Sequence, residues 1–369
     1  MTPFYDIAKD PQGYARDWKA RTQSKIVGYF CSYAPEEIIW ASGALPYRIL
    51  GGGQTIERAD AHLQAYSCSL LRGALDDALA GRLDFIDGTV FPHTCDSIQR
   101  LSDIWRLNAG FDFHLDLVLP VKLNTHSAEQ YMQDVIHKFG QDLADGLKVT
   151  ITARMLKKAM ETFNCIRSNM RRLYALTSQR SDLISSSDLQ AIVKASMVMD
   201  RDELCGRLAE TCQGLDAQHA ESGIGKIPLV LTGGICNMPD IYRHIEDAGG
   251  TVVGDDFCTG SRYFEGSMDV QDDPLNAIAQ RYYHRINCPA KHRDCFSRGD
   301  HLLKIVDNTR ARGVIFVLLK FCDPHAFDFP YLKEFLDRAG VPSMLLEIEE
   351  QQIATEQLKT RLEAFLESL

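Results

Sequence analysis

The chain has no long hydrophobic run. Its longest, GVIFVLL at residues 313–319, is far too short to cross a bilayer, which argues against membrane residence. It also lacks an excess of positive charge: 40 Lys and Arg stand against 50 Asp and Glu, a net charge of −10, with no long block of one sign. A nucleic-acid binder shows a basic face, so that class is set aside. No CxxC pair occurs, which removes zinc ribbons, thioredoxin-type motifs and ferredoxin-type runs. There is no GxxxxGK phosphate loop, since Gly223-Ile224-Gly225-Lys226 lacks the spacing. The opening MTPFYDIAKDPQ is polar and charged, without the pattern of a secretory signal. These absences lead to the expectation of a soluble, cytoplasmic protein.

What is present is ordinary in bulk and unusual in cysteine. The 369 residues are 45% apolar and 24% charged, a globular composition sized for two or three domains. Eleven cysteines are too few for a disulfide scaffold, and an odd number without a secretory signal points to free thiols or metal ligands. Cys205 with Cys212, and Cys288 with Cys295, are each separated by six residues. The first pair falls in a helical pattern and the second in a charged segment that reads as loop. Neither is a metal motif, so a metal site would draw its ligands from distant parts of the chain.

Short β-rich runs are predicted at Lys25–Phe30, Leu45–Leu50, Phe85–Phe91 and Phe113–Leu119, with helical patterns starting near Pro35 and across Ser69–Leu79. From Ala153 to Leu173 the residues Leu156, Met160, Phe163, Ile166, Met170 and Leu173 keep a helical rhythm. Helices follow at Asp188–Met199, opened by Ser185-Ser186-Ser187-Asp188, and at Arg201–Gln218. After a break at Ser222-Gly223-Ile224-Gly225, a second set of strands is predicted at Ile227–Thr232, Gly250–Asp255, Gly313–Leu319 and Ser343–Glu347. An amphipathic helix with Leu358, Leu362, Phe365 and Leu366 closes the chain. Alternating strands and helices imply parallel sheets covered by helices. The expected fold is α/β: two doubly wound domains, at 1–152 and 223–369, around a helical segment at 153–222.

On this map the cysteines gather at strand ends. Cys31 follows KIVGYF, Cys95 follows FIDGTVF, Cys236 follows IPLVLT, Cys258 follows GTVVGDD and Cys322 follows GVIFVLL. The carboxyl ends of strands are where open α/β sheets place ligand sites. Cys68, in YSCSLLRG, also precedes a helix. A helix N-terminus favours a thiolate and lowers its pKa, and soft metals and clusters require thiolates. Cys165, Cys205 and Cys212 lie within helices and read as packing residues.

The segments carrying these cysteines resemble the 2-hydroxyacyl-CoA dehydratase / benzoyl-CoA reductase family of iron–sulfur proteins. The matching stretches are CSYAPEEIIWASGALPYRILGGG (31–53), YSCSLLRGALDDALAGRLDFIDG (66–88), FPHTCDSIQRLSDIW (91–105), LTGGICNMPDIYRHIEDAGGTVVGDD (231–256) and GVIFVLLKFCDPHAFDFPYLKEFLDRAGVPSMLLEIE (313–349). The combination of HTCDS with KFCDP carries the most weight, and length and motif order resemble the smaller of the two homologous catalytic subunits. The resemblance implies two flavodoxin-like domains and a [4Fe–4S] cluster held in the cleft between them by Cys68, Cys95 and Cys322. Cys31 stands where only some members carry cysteine, so it is placed near the site, with a ligand role open. Cys236 and Cys258 lie outside the family's ligand pattern and would line the cleft.

The implied activity is removal of water from a 2-hydroxyacyl-CoA to give an enoyl-CoA. One electron added to the thioester carbonyl gives a ketyl radical, which expels the hydroxyl group and makes the β-proton removable. The resemblance further implies a larger homologous partner subunit and an ATP-dependent iron–sulfur activator that donates the electron. Two alternatives remain: the small subunit of an ATP-dependent benzoyl-CoA reductase, and a non-catalytic electron-transfer or scaffold subunit.

Other residues carry weaker signals. Glu37, in the first turn after Pro35, could act as an acid or base, although such a glutamate more often caps the helix. Gly51-Gly52-Gly53 and Gly233-Gly234 could admit CoA phosphates to backbone amides. His93 and His325 flank proposed ligands and could donate protons, but exposed loop positions are expected. Asp96 and Asp323 read as helix N-caps. Asp255-Asp256 could bind a cation, with solvated turn carboxylates the expected alternative.

Overall fold

The structure is a computed structural model; it describes all residues except 52–54, 181–182, 219–224, 236–240, 271, 286–287, 295 and 350–354. Two helices, α1 (Thr2–Lys9) and α2 (Pro11–Thr22), precede the first unit. That unit runs β1 (Ile26–Tyr29), α3 (Glu36–Ala41), β2 (Leu45–Arg48), α4 (Ser69–Leu79), β3 (Gly88–Pro92), α5 (Asp96–Asn108) and β4 (Phe113–Leu117). Four helices follow: α6 (His126–Leu147), α7 (Ala153–Gln179), α8 (Ser186–Ser196) and α9 (Arg201–Asp216). The second unit begins β5 (Ile227–Gly233), α10 (Ile241–Asp247), β6 (Gly250–Asp256), α11 (Pro274–His284) and α12 (Ser297–Thr309). It ends β7 (Gly313–Leu319), α13 (Asp323–Arg338), β8 (Ser343–Ile348) and α14 (Thr355–Glu367).

All strand pairs are parallel, in two four-stranded sheets ordered β2-β1-β3-β4 and β6-β5-β7-β8. Both orders are those of a flavodoxin-like unit, so the expected architecture holds. In each sheet the order reverses direction around the first strand. The switch points therefore lie between β1 and β3, and between β5 and β7. β1, β2, β3, β6 and β7 are buried along their whole length, as parallel strands covered on both faces must be.

The helical middle joins the two units. α7 packs on α3, α9, α11 and β6, and its Ile166, Met170 and Leu173 belong to a core shared by both sheets. The N-terminal half of the same stripe, with Leu156, Met160 and Phe163, packs with α6, α11 and one face of the first sheet. α11 thus lies against the N-terminal unit although its sequence sits in the second half. The serine run before α8 acts as foreseen: Ser185 and Asp188 form a capping box, and the helix starts at Ser186. Cys165 on α7 and Cys205 on α9 are joined as a disulfide across these two helices. This corrects the expectation of two packing thiols. The helical pattern placed each cysteine on a face, and only the pairing of α7 with α9 brings the two together.

One buried carboxylate organises the approach to α4. Asp76 accepts hydrogen bonds from the backbone N–H groups of Glu57, Arg58 and Ala59, at 2.9, 2.6 and 3.2 Å, and pairs with Arg82 at 2.7 Å. Burial alone would raise its pKa, but the amides of Arg58 and Glu57 and the Arg82 guanidinium outweigh it and hold the carboxyl at about 2. The folded pKa is depressed, so this stabilisation is present above the unfolded carboxylate value and is lost as pH falls toward 2. Asp76→Asn should lower the unfolding free energy by roughly 2 kcal/mol at pH 7, with the gap from wild type narrowing between pH 4 and pH 2. Denaturant titrations of both proteins across that range check this; a gap independent of pH would contradict it.

Candidate functional site

Three cysteines occupy the N-cap position of three helices: Cys68 for α4, Cys95 for α5 and Cys322 for α13. Each helix follows a strand end, so the parallel sheets direct all three N-termini to one side of their units. The three residues line a single cavity of about 370 Å³, together with Pro289, Phe321 and Phe327. Cys68 and Cys95 come from the N-terminal unit and Cys322 from the C-terminal unit, so the cavity lies between them.

The loop before Cys322 is strained. Phe321 adopts φ 64, a left-handed conformation rare for a bulky residue; it is 46% exposed and lines the cavity. The turn bonds Cys322 N–H to Leu319 C=O at 3.1 Å and brings the thiol to the start of α13. Asp96 and Asp323 are the first helical residues and the cysteines themselves hold the N-caps, which corrects the reading of both aspartates as caps.

The thiols are not free-standing nucleophiles. Burial pushes Cys95 up to about 12; the amides of Ile98 and Ser97 oppose this while Cys68 and Cys31 reinforce it. Burial also raises Cys322, which in addition feels the sulfurs of Cys68 and Cys95. At these two thiols burial and the neighbouring sulfurs outweigh the backbone amides, so in the chain alone both stand above the ordinary cysteine range. A cation among them would reverse this balance, since a coordinating thiol is deprotonated outright. Among the described residues no group of His, Cys, Asp or Glu is arranged to hold a single metal ion. A cluster makes a different demand, because its own iron and sulfide fill the interior and the thiolates need only reach its corners. Three thiols around a cavity of this size, with amides facing sulfur, fit that demand.

A second set of thiols lies behind the first. Cys258 is buried and hydrogen-bonded to Cys288; that bond, with Arg262 and His325 nearby, draws the Cys258 thiol well below its ordinary range against burial. Cys288 moves up in return. Cys31 is half-buried and does not line the cavity, yet lies close enough to affect both Cys95 and Cys288. Sequence reading placed Cys258 at a strand end but gave Cys288 no role, because nothing in its charged segment signals a buried partner. Cys236, Gly52, Gly53 and Cys295 lie outside the described residues.

Other expected site residues fall elsewhere. Glu37 is fully buried; it pairs with Arg167, and with Arg281 at 3.3 Å, and accepts from Tyr282 Oη at 3.0 Å. Burial opposes its ionisation, but the two guanidinium groups outweigh this and lower its pKa. It does not line the cavity and serves as the centre of an ionic contact among α3, α7 and α11. His325 is buried, not exposed as expected, and burial lowers its pKa while its ring bonds to Cys258. His93 Nε2 is 2.8 Å from Asp116 Oδ1. Asp255 and Asp256 are buried, which corrects the reading of solvated turn carboxylates. Tyr174 Oη donates to Asp255 at 2.6 Å, and Asp256 is held at about 2, against burial, by Arg262 and Arg298. Gly233 and Gly234 answer to packing. A side chain on Gly233 would meet the Val317 carbonyl at 2.0 Å, and one on Gly234 would meet the His325 ring at 3.2 Å.

Two facing flavodoxin-like units with thiols at the strand ends between them define a class of thiol-lined α/β protein. Comparison with known sequences makes the assignment specific. Residues 31–369 match the model of the family described as 2-hydroxyglutaryl-CoA dehydratase, D-component, and the chain belongs to that family. It is 25% identical over 366 residues to the (R)-phenyllactyl-CoA dehydratase beta subunit of Clostridium sporogenes, covering 99% of this chain and 97% of that protein. It is 28% identical to a benzoyl-CoA reductase subunit of Thauera aromatica, covering 96% and 94%. It is 26% identical to lactoyl-CoA dehydratase subunit beta of Anaerotignum propionicum, covering 100% and 98%. Among the described residues no helix is long and apolar enough to cross a membrane.

Glu37→Gln should reduce stability by about 3–5 kcal/mol, because it leaves two buried guanidinium groups without their counter-charge. Thermal unfolding checks this. Any iron bound per folded chain should be unchanged, whereas a direct role at the cavity would alter it.

Proposed function

We propose that the chain is the thiol-bearing smaller subunit of a 2-hydroxyacyl-CoA dehydratase, with Cys68, Cys95 and Cys322 holding a [4Fe–4S] cluster. The observation that carries this reading is the convergence of these three cysteines, from distant sequence positions and two sheets, on one cavity. The names of the relatives support it, since they describe subunits of 2-hydroxyacyl-CoA dehydratases and of benzoyl-CoA reductase. When bound, the cluster would supply the single electron that turns the thioester carbonyl into a ketyl radical able to expel the adjacent hydroxyl.

The chain's own residues prepare that site. Amides of Ser97 and Ile98 face the Cys95 sulfur, and the amide of His325 faces Cys322, which stabilises thiolates in a low-dielectric setting. Phe321 and Phe327 line the cavity beside the thiols. Three protein sulfurs leave a fourth corner for a non-cysteine ligand. A larger homologous subunit and an ATP-hydrolysing iron–sulfur activator would complete the system, because this chain has no phosphate loop of its own.

A second reading is the matching subunit of a benzoyl-CoA reductase, favoured by the 28% identity to the Thauera aromatica reductase protein. The complex reconstituted with partner and activator separates the two. Enoyl-CoA formed from a 2-hydroxyacyl-CoA without net reduction supports the dehydratase, and a dienoyl-CoA formed from benzoyl-CoA supports the reductase. Cys68→Ser, Cys95→Ser and Cys322→Ser should each abolish turnover, by at least about a hundredfold. Turnover retained in all three would remove the cluster from the account.

A further inference from the structure

Among the described residues seven cysteines are free thiols and one pair, Cys165 with Cys205, is joined. A single such bond is not a disulfide scaffold, and neither cysteine lines the thiol cavity. Cys165 lies at the middle of α7 and Cys205 in the second turn of α9, and both are partly exposed, within reach of a small reagent in solvent.

The two sulfurs are not equivalent. Asn169, one turn beyond Cys165, donates Nδ2 to Cys165 C=O at 3.1 Å, which fixes the amide with its nitrogen toward the cysteine. The same nitrogen lies 3.5 Å from Cys165 Sγ. No hydrogen bond reaches Cys205 Sγ among the described residues. In thiol–disulfide exchange the sulfur that better carries negative charge leaves, and the other takes the incoming thiol. Asn169 therefore makes Cys165 the leaving thiolate and Cys205 the sulfur attacked. Cys212, also on α9, does not compete: it is buried, its thiol donates to Asn169 C=O at 3.6 Å, and burial raises its pKa. The attacking thiolate must come from solvent.

Opening the bond leaves the helix pair in place. Ile166, Met170 and Leu173 of α7 share one core with Leu204, Leu208 and Leu215 of α9. Asp202 accepts from Lys158 at 3.0 Å and from Thr162 Oγ1 at 3.3 Å, and Asp216 pairs with Arg172. The crosslink can thus open and close within the folded chain.

We propose that Cys165 and Cys205 form an exchangeable couple, with Cys205 a thiolation site for a low-molecular-weight thiol of the glutathione class. The thiolate attacks Cys205 Sγ, the Cys165–Cys205 bond breaks, and Cys165 leaves with the electron pair. A second thiolate attacks the outer sulfur of the mixed disulfide and releases Cys205 together with the oxidised small disulfide. The two protein thiolates take up the two protons the incoming thiols gave up. The same steps in reverse, driven by glutathione disulfide, close the bond.

The test treats the full chain, first oxidised with glutathione disulfide, with limiting glutathione, followed by acid quench, alkylation and peptide mass spectrometry. The expected results are a Cys165–Cys205 disulfide before reduction, a transient glutathione adduct on Cys205 and an unchanged circular dichroism spectrum after reduction. Asn169→Leu should slow opening about tenfold, the worth of one hydrogen bond to the leaving sulfur. Two alkylated thiols after oxidation, or a bond that glutathione opens only in denaturant, would overturn the couple. Glutathione found on Cys165, or an opening rate that folded Asn169→Leu leaves unchanged, would overturn Cys205 as the site. If Asn169→Leu does not fold, the position of glutathione on the wild-type chain decides.

Discussion

The constraint on which this structure depends is parallelism. A parallel strand must be left by a crossover, so every strand of each sheet ends on the same side and every following helix begins there. The first and third strands of each unit send their crossovers to opposite faces and leave a crevice at their ends. Cys31 follows β1, Cys95 follows β3 and Cys322 follows β7, so three of the thiols stand at or beside a switch point. Packing the two units around α7 turns the crevices together, and Cys68 enters from the loop after β2. The site is a consequence of topology before it is one of side-chain chemistry.

Holding the units in place requires buried charge. Glu37 with Arg167 and Arg281, Glu36 with Arg201, and Asp256 with Arg298 each tie a strand end or the helix after it to another element, while Arg262 closes on Asp256 from the segment just after β6. Such pairs gain little net stability over apolar packing, but breaking one partner is costly, so they fix geometry. Two of them involve the helix after β1, and a third grips the end of β6 beside Cys258. These contacts fix the elements from which the cavity walls are built.

The sequence made the strands and the cysteine positions legible. All eight predicted strands appear within a few residues of their expected bounds, because short β-rich runs bounded by turns leave little ambiguity. The position of Cys322 before Asp-Pro, and of Cys95 before DSIQRL, correctly announced helix starts. What stayed hidden depended on tertiary contact. α6 carried a readable stripe in Met132, Ile136, Phe139 and Leu143 but no strand alternation to frame it, and it was not read. The crossing of α11 to the N-terminal unit, the Cys165–Cys205 disulfide and the Cys258–Cys288 bond each join residues whose local sequence gives no sign of the other. Glu37 could be read from its place after a strand end as an acid, a base or a helix cap, and only the structure shows two arginines reaching it from α7 and α11.

The central claim is that Cys68, Cys95 and Cys322 hold an iron–sulfur cluster. The most direct test is the iron and acid-labile sulfide content of the chain, produced with its larger partner and purified without oxygen, with an absorption spectrum before and after exposure to air. The account predicts about four iron and four sulfide per chain, with a broad charge-transfer band that bleaches in air. A chain free of iron under strict anaerobic conditions would contradict it and would return the three thiols to the role of packing residues.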